Sequence, residues 1–551
     1  MKKYFFVLVA LTIFTSIVAC NSSDRRAEDG QSDSDTDSDT DADTDTDSDS
    51  DTDTEYEGPP IPETCVQAAQ ALTSVGCEFF VADMDNWDDS TGMSPDADPL
   101  NYSVVVSNPQ QNQDSNVTLE NGSGQQLITL TLAPGDLRVI DVACDGGLCL
   151  EPASQVDIQG IGLGTGYRLT SDVPITAYQW NPYGQEIFST DASLLIPITS
   201  LTGTYIVASW PTTVAGNRNM SQVMIVATAD STEVTVRPST DITEYGGVGP
   251  FTAGVDSSGI MLDAGDVLTL RSESAGSDLT GTVISATATL SVFGGNSCAN
   301  VPDAATCCCD HVEEQLLPLE AWGTSTVLAR PAPRAPCTEA QDTVLWRIIA
   351  GSDGMTISFD PPAPAPYGAS YHFAQQGELI EFQSPGNHYL VGVLDNPSNQ
   401  EEPEAPFLAY QMMNGALFAS CGSTGDEGDP MMLLSPPAGQ YLDRYVFNTD
   451  DVFDFSYDQI IIVRKAGVDV DLDCVGALPV SLFSAVGSSG FEVGQFFIDD
   501  PASTNGCVDG AHSISSAQPF GLSVVGSAYC QSYGYLGGVG VRTINPNPII
   551  E

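Results

Sequence analysis

The chain has 551 residues, with 74 acidic side chains against 16 basic ones and a formal net charge of −58. So acidic a surface repels nucleic acid and anionic lipid, both of which are held through clustered Lys and Arg, and nucleic-acid binding is excluded on that ground. The length is too great for one hydrophobic core and predicts several folded units.

The first predicted element is a targeting segment. Lys2 and Lys3 precede an apolar run from Tyr4 to Val18. That run has signal-peptide length and falls short of the roughly 20 residues a spanning helix needs. It ends in Ile17-Val18-Ala19-Cys20, which resembles the lipobox of bacterial lipoproteins. The resemblance implies removal of residues 1–19 and acylation of Cys20. Residues 20–57 follow without an apolar segment, and every second residue from Asp33 to Asp53 is Asp. Such a stretch buries too little to offset its ordering entropy and repels itself, so an extended, disordered tether is expected. Asn21 stands where inner-membrane lipoproteins of the resembled class carry Asp. The resemblance therefore implies an outer-membrane lipoprotein, exposed at the surface of a Gram-negative bacterium.

The body, residues 58–551, has 58 acids against 12 bases, a formal charge of −46, and Lys465 is its only lysine. Short β-branched and aromatic runs alternate with Gly, Pro, Asp and Asn, which predicts an all-β fold of antiparallel strands. One order of runs recurs four times, over about 77–181, 193–295, 316–412 and 432–530. The second copy shows it best, as "GTYIVASW", "VMIVATADSTEVTV", "IMLDAGDVLTL", "GTVISA" and "TLSVFGG". Connectors "LLIP" (194–197), "LLPL" (316–319) and "MLLS" (432–435) precede the second to fourth copies. Roughly seven strands in about a hundred residues fit a β-sandwich unit. A β-propeller with two four-stranded blades per repeat is the competing architecture, and the sequence leaves the choice open. Asp230-Ser231-Thr232 and Asp353-Gly354 read as hairpin turns. The glycine run 160–166 has no nearby Lys and leads into a strand, so it reads as a flexible β connection and not a phosphate loop.

Several segments together resemble the bacterial members of the IgGFc-binding protein N-terminal domain family. They are "TSDVPITAYQWNPYG" (170–184), "DASLLIP" (191–197), "VMIVATADSTEVTV" (223–236), "CCCDHVEEQLLPLEAWG" (307–323) and "QSYGYLGG" (531–538). Within them Cys309, Asp310, His311, Trp322 and Gly323 match best. The resemblance implies an extracellular, non-catalytic binding or adhesive role toward a protein or glycan ligand. It does not carry immunoglobulin binding, because the cysteine-dense repeats that follow this region in the animal protein are absent from this chain.

Fourteen cysteines in an exported chain read as disulfides. Setting Cys20 aside leaves an odd number, so at least one unpaired thiol is expected, in the trio Cys307-Cys308-Cys309 or among its partners. Cys65–Cys77, Cys144–Cys149 and Cys507–Cys530 are the expected local pairs. A zinc site at the trio is disfavoured, since adjacent residues of an extended chain point to opposite sides. Two acidic groups are candidate calcium ligands, namely Asp83, Asp85 and Asp88 in one loop, and Asp469, Asp471 and Asp473 alternating along one strand. A solvated acidic surface is the plainer account of both, and no other cofactor is expected. The four histidines, His311, His372, His388 and His512, stand beside no nucleophile-elbow motif, so no enzyme is expected. The rivals to a binding module are a self-associating structural surface protein and a surface carbohydrate-active or proteolytic enzyme.

Overall fold

A computed structural model describes residues 61–546 except 88–100, 145–148, 153–159, 184–188, 214–218, 307, 335, 396–404, 417, 419–427, 450–456 and 500–505, together with residue 548. The signal segment, Cys20 and the tether lie outside the described residues. The body is all-β with antiparallel sheets. Its one described α-helix, Cys65–Ala71, opens on a capping box in which Thr64 and Gln67 satisfy each other's backbone N–H.

The same strand order is met in four successive stretches of chain, each giving an outer and an inner sheet. The outer sheet of the second stretch runs Thr204–Ile206, Val283–Ala286, Thr232–Arg237, Ser257–Leu262. The inner one runs Asp310–Gln315, Leu290–Ala299, Ser221–Ala227, Val267–Ser272 and then Gly160–Gly162, lent by the stretch before it. In the third stretch the outer order is Ser325–Leu328, His388–Leu394, Met355–Ala363, Gly368–Phe373. In the first and fourth stretches one long strand, Tyr167–Asn181 or Ala511–Ala528, passes through both sheets and joins them.

Burial separates the two kinds of sheet. Outer strands alternate, as in Thr232–Arg237, whose Val234 and Val236 face inward between half-exposed neighbours. The central inner strands are covered on both faces, and Tyr102–Ser107, Ser221–Ala227 and Val344–Ala350 are buried at every residue. A sheet covered on both sides needs apolar residues on both, which is why these strands read as near-continuous runs. The two sheets of the third stretch enclose one core containing Trp346, Ile348, Ile357, Phe359, Phe373 and Phe382. The two sheets of the first likewise enclose Phe79, Val104, Val117, Leu119, Tyr167 and Leu169. That is sandwich packing, with each buried large aliphatic contributing about 1.5–3 kcal/mol.

The connectors lie at the centre. Asp191–Leu194, Asp310–Gln315 and Met432–Ser435 each pair backward with the last long strand of the preceding stretch. Gln531–Leu536 does the same in the fourth. These four axial strands lie against one another in a closed cycle, first on second and fourth, third on second and fourth. After the first three, Pro197, Pro318 and Pro437 each lead into one turn of 3-10 helix. The end of the chain closes the cycle onto the beginning: Val541 N–H donates to Leu72 O at 2.7 Å and Ser74 N–H to Val539 O at 2.9 Å. Close approach demands glycine here, since a Cβ on Gly294 would stand 1.9 Å from the Ala208 carbonyl oxygen. The run Gly160–Gly166, expected as a flexible connection, instead supplies the edge strand Gly160–Gly162 to its neighbour's sheet.

Cys65–Cys77 and Cys144–Cys149 are bridged. Cys507 is bonded to Cys474 and not to Cys530, a correction with a plain cause. His512 accompanies Cys507 at one end of Ala511–Ala528, where Asp473 lies beside it, whereas Cys530 follows the far end of that 18-residue strand. Cys309 bonds Cys298 across the hairpin of Leu290–Ala299 and Asp310–Gln315. Cys308, Cys337 and Cys530 are also disulfide-bonded, so the thiol expected in the trio is not Cys308 or Cys309, and Cys307 lies outside the described residues. Non-reducing peptide mapping is expected to recover a Cys474–Cys507 cross-link and no Cys507–Cys530 species; the reverse would overturn the Cys474–Cys507 pairing.

Candidate functional site at the junction of the axial strands

The axial strands "DASL" and "DHVEEQ" carry acids in an otherwise apolar centre, and both are fully buried. A buried carboxylate is tolerated only when hydrogen bonds replace its water. Asp191 meets this condition with one donor from every axial strand. Its Oδ1 accepts from Ala192 N–H at 2.9 Å and Gly534 N–H at 3.1 Å, and its Oδ2 from Glu313 N–H and Met432 N–H, each at 3.2 Å. Edge strands that meet at an axis cannot pair with all their neighbours as ladders, so a single carboxylate takes up their leftover amides. Burial pushes the Asp191 carboxyl well above the usual range against the pull of those four amides.

The neighbouring acids repeat the device. Glu314 accepts from Leu434 N–H at 3.2 Å and from Ser193 Oγ at 3.2 Å, joining the second axial strand to the third and the first. Gln315 accepts from Ile196 N–H at 2.6 Å and donates through Nε2 to Ser291 Oγ at 2.8 Å. Asp310 accepts from Thr190 N–H at 2.6 Å. Burial, then the charges of Asp429 and Asp191, push its carboxyl well up, while the Thr190 and Ser532 amides oppose them. Aromatic rings close the centre: Tyr533 and Tyr535 pack against Trp180 and Tyr178 at centroid distances of 4.6 and 4.7 Å.

The family-motif residues fall in or beside this junction. Cys309 is in its disulfide, Asp310 bridges to Thr190, and His311 is buried with Nε2 3.3 Å from Glu313 Oε2. Trp322 donates from Nε1 to Leu317 O at 3.1 Å, and a Cβ on Gly323 would meet Pro437 at 2.6 Å. Asp191, Glu313, Glu314 and Tyr533 were missed as a group by sequence reasoning. The available signal was acids embedded two or three residues before "LLIP" and "LLPL", where a core strand should have none.

The two acidic groups expected as candidate calcium ligands, one in a loop and one on a strand, stand in different settings. Asp83 and Asp85 are buried between sandwiches, with Asp85 paired to Arg271 at 2.9 Å, while Asp88 lies outside the described residues. Asp469, Asp471 and Asp473 are exposed around buried Val470 and Leu472, as the alternation predicts, but only Val470–Leu472 is strand. Asp473 is occupied by His512 Nδ1 at 2.9 Å and Ser513 N–H at 2.7 Å. Asp473, Cys474 and His512 are the metal-type grouping among the described residues, and the Cys474 sulfur is spent in a disulfide.

One serine–histidine pair was not foreseen. Ser384 Oγ lies 2.7 Å from His388 Nε2, and His388 Nδ1 lies 2.8 Å from Pro361 O. Ser384 Oγ also accepts from Gly386 N–H at 3.1 Å. Both residues are buried, at 2% and 4% exposure, in a hairpin. Burial pushes the His388 imidazole down. The pair has a nucleophile–base geometry but no access for a substrate, and it serves as a lock on its turn.

Among known proteins, the chain is 25% identical over 361 residues to the human IgGFc-binding protein, covering 65% of this chain and 6% of that protein. The chain thus spans a small fraction of that relative's length. A solved structure described as "Structural insight into host cell surface retention of a 1.5-MDa bacterial ice-binding adhesin" aligns at 14% identity over 62% of this chain and 91% of that one, with a TM-score of 0.09, which carries no argument about the fold. A sequence model of the family described as "IgGFc binding protein" matches residues 191–526, from the first axial strand into the last long strand, and the chain belongs to that family.

Proposed function

We propose that this chain is a non-catalytic binding module that works outside the cell, tethered through Cys20 to the outer membrane of a Gram-negative bacterium. Its ligand in this reading is an extracellular protein or glycan. The family match over 191–526 is the observation that carries the reading. The junction supports it, since a cycle of sandwiches stapled at its centre is a rigid scaffold, and rigid scaffolds present ligand-binding loops on their outer surfaces. The buried carboxyls of Asp191, Asp310 and Glu314 hold strands together through backbone amides, which leaves the outer loops to meet a macromolecular ligand. The four sandwiches are read as the four tandem repeats, and residues 20–57 as an extended tether that holds them off the membrane.

Two measurements test the proposal. Radiolabelled palmitate should enter the wild-type protein and not Cys20→Ser, which should leave the membrane fraction. Equal membrane retention of both proteins would remove the anchor. Purified body should bind in a saturable way to a component of a panel containing IgG Fc, mucins, matrix proteins and a glycan array. Turnover of glycan or peptide substrates without saturable binding would replace the module by an enzyme.

A further inference from the structure

The interface between the first and second sandwiches changes character along its length. At one end it is apolar, where Met224, Val226, Val267 and Phe293 of the second sandwich join the core of the first. At the other it is polar and charged. There the inner sheet of the second sandwich aligns Arg271, Gln222, Gly295 and Glu313 in one row across four strands, because Arg271 pairs with Gln222, Gln222 with Gly295, and Gly295 with Glu313. Directly paired residues share a face of the sheet, and Gly295 contributes no side chain between its neighbours. The first sandwich faces this row with the segment that follows Gly76–Val81. Asp85 Oδ1 pairs with Arg271 at 2.9 Å, Asp85 O accepts from Gln222 Nε2 at 2.8 Å, and Asp83 Oδ1 accepts from Asn181 Nδ2 at 3.2 Å.

Three oxygens on or facing this row lack a donor. Asp83 Oδ2, Gln222 Oε1 and Glu313 Oε1 have no hydrogen-bond partner among the described residues, although their residues are only 5%, 0% and 0% exposed. Two belong to carboxyl groups, and Glu313 is the neighbouring charge that most raises Asp83, after burial itself and ahead of Asp85. Arg271, the cation of the row, is engaged by Asp85. A buried acceptor left without a donor costs about 1–3 kcal/mol, and more when charged. Three together, two of them carboxyl oxygens, make a set of acceptors that a cation would satisfy. Of the neighbouring protein groups, Arg271 bonds Asp85, and His311 directs Nε2 to the other oxygen of Glu313.

We propose that Asp83, Gln222 and Glu313 form a buried binding site for a hard divalent cation, calcium in the first instance, which pins the first sandwich to the second. The donor set is all oxygen, two carboxylates and one amide, which suits calcium over zinc or copper. Its ligands come from two sandwiches, so cation binding couples their association to metal supply. The site differs from the acidic loop expected from sequence: it takes Asp83 from that loop, but Asp85 serves Arg271, and the remaining ligands lie 139 and 230 residues further on.

The test uses the full mature protein, stripped with a chelator and dialysed at fixed ionic strength. Calcium chloride alone is the probe, read by calorimetric titration and by thermal unfolding, with magnesium chloride and sodium chloride as matched controls. One calcium per chain should bind with a rise in Tm, and sodium at equal ionic strength should give no such rise. Glu313→Gln and Asp83→Asn should each weaken binding by more than about tenfold and remove the calcium-dependent rise. Neither variant should lower the Tm of the stripped protein, because each takes away a buried charge. That last comparison keeps the proposal falsifiable if one variant folds poorly, since the other and the metal content of the wild type still report. Absence of stoichiometric calcium in the wild type would overturn the proposal. So would an undiminished calcium response in both variants, which would assign the effect to the acidic surface.

Discussion

Asp191→Ala is expected to cost the body about 4 kcal/mol or more, read as a lowered midpoint in guanidinium unfolding at unchanged slope. The substitution leaves four buried backbone N–H groups without an acceptor, those of Ala192, Glu313, Met432 and Gly534. Each orphaned donor costs about 1–3 kcal/mol, and the four lie in a centre that water does not reach. Asp191→Asn should fall between the two, because its carboxamide oxygen keeps two of the acceptor positions while its NH2 faces donors. A control in the outer sheet, Thr235→Ala, should lie within about 0.5 kcal/mol of the wild type. A cost for Asp191→Ala no greater than that control would mean that the axial strands are held by packing alone.

The second large effect is a dependence of stability on pH that runs opposite to that of an ion-paired protein. Burial lifts the carboxyls of Asp310 and Glu314 well above the usual range, with Asp429 and Asp191 facing Asp310, and Asp191 and Glu313 facing Glu314. A group raised on folding binds its proton more tightly in the native state. Its contribution is complete below the unfolded carboxyl pKa of about 4 and is lost as pH rises toward the folded value. Asp342 works the other way: burial would raise its carboxyl, but hydrogen bonds and charge from Arg334 prevail and hold it low. Its contribution is present above about 4 and is lost below. The Tm should therefore peak on the acid side of neutrality and fall as pH rises. Asp310→Asn, which is neutral at every pH and can donate toward Asp429, should flatten the fall. A Tm that climbs steadily from pH about 5 to about 8 in both proteins would show that the buried acids are ionised throughout.

The all-β class was legible because strand periodicity is local. "TEVTVR" alternates and is an outer strand, and "SVVVS" and "QIIIV" do not alternate and are covered on both faces. The local disulfides Cys65–Cys77 and Cys144–Cys149 were legible for the same reason, since 12 and 5 residues of separation leave few alternatives. The pairing of Cys474 with Cys507, 33 residues apart, depends on which end of an 18-residue strand each cysteine meets. Spacing does not encode that.

The candidate site was legible as composition and not as geometry. Acids next to "LLIP" and "LLPL" are visible in the sequence, but whether an acid in a strand faces water or four foreign amides is decided by what is packed across from it. Asp471 and Asp191 have the same chemistry and both lie on short strands. One stands on a solvated face, and the other is the meeting point of strands that start at residues 191, 310, 432 and 531. By itself the sequence determined the all-β class and the acidity of the whole. Tertiary structure alone decided which carboxylates lost their water, because desolvation depends on neighbours hundreds of residues away, and no local pattern carries them.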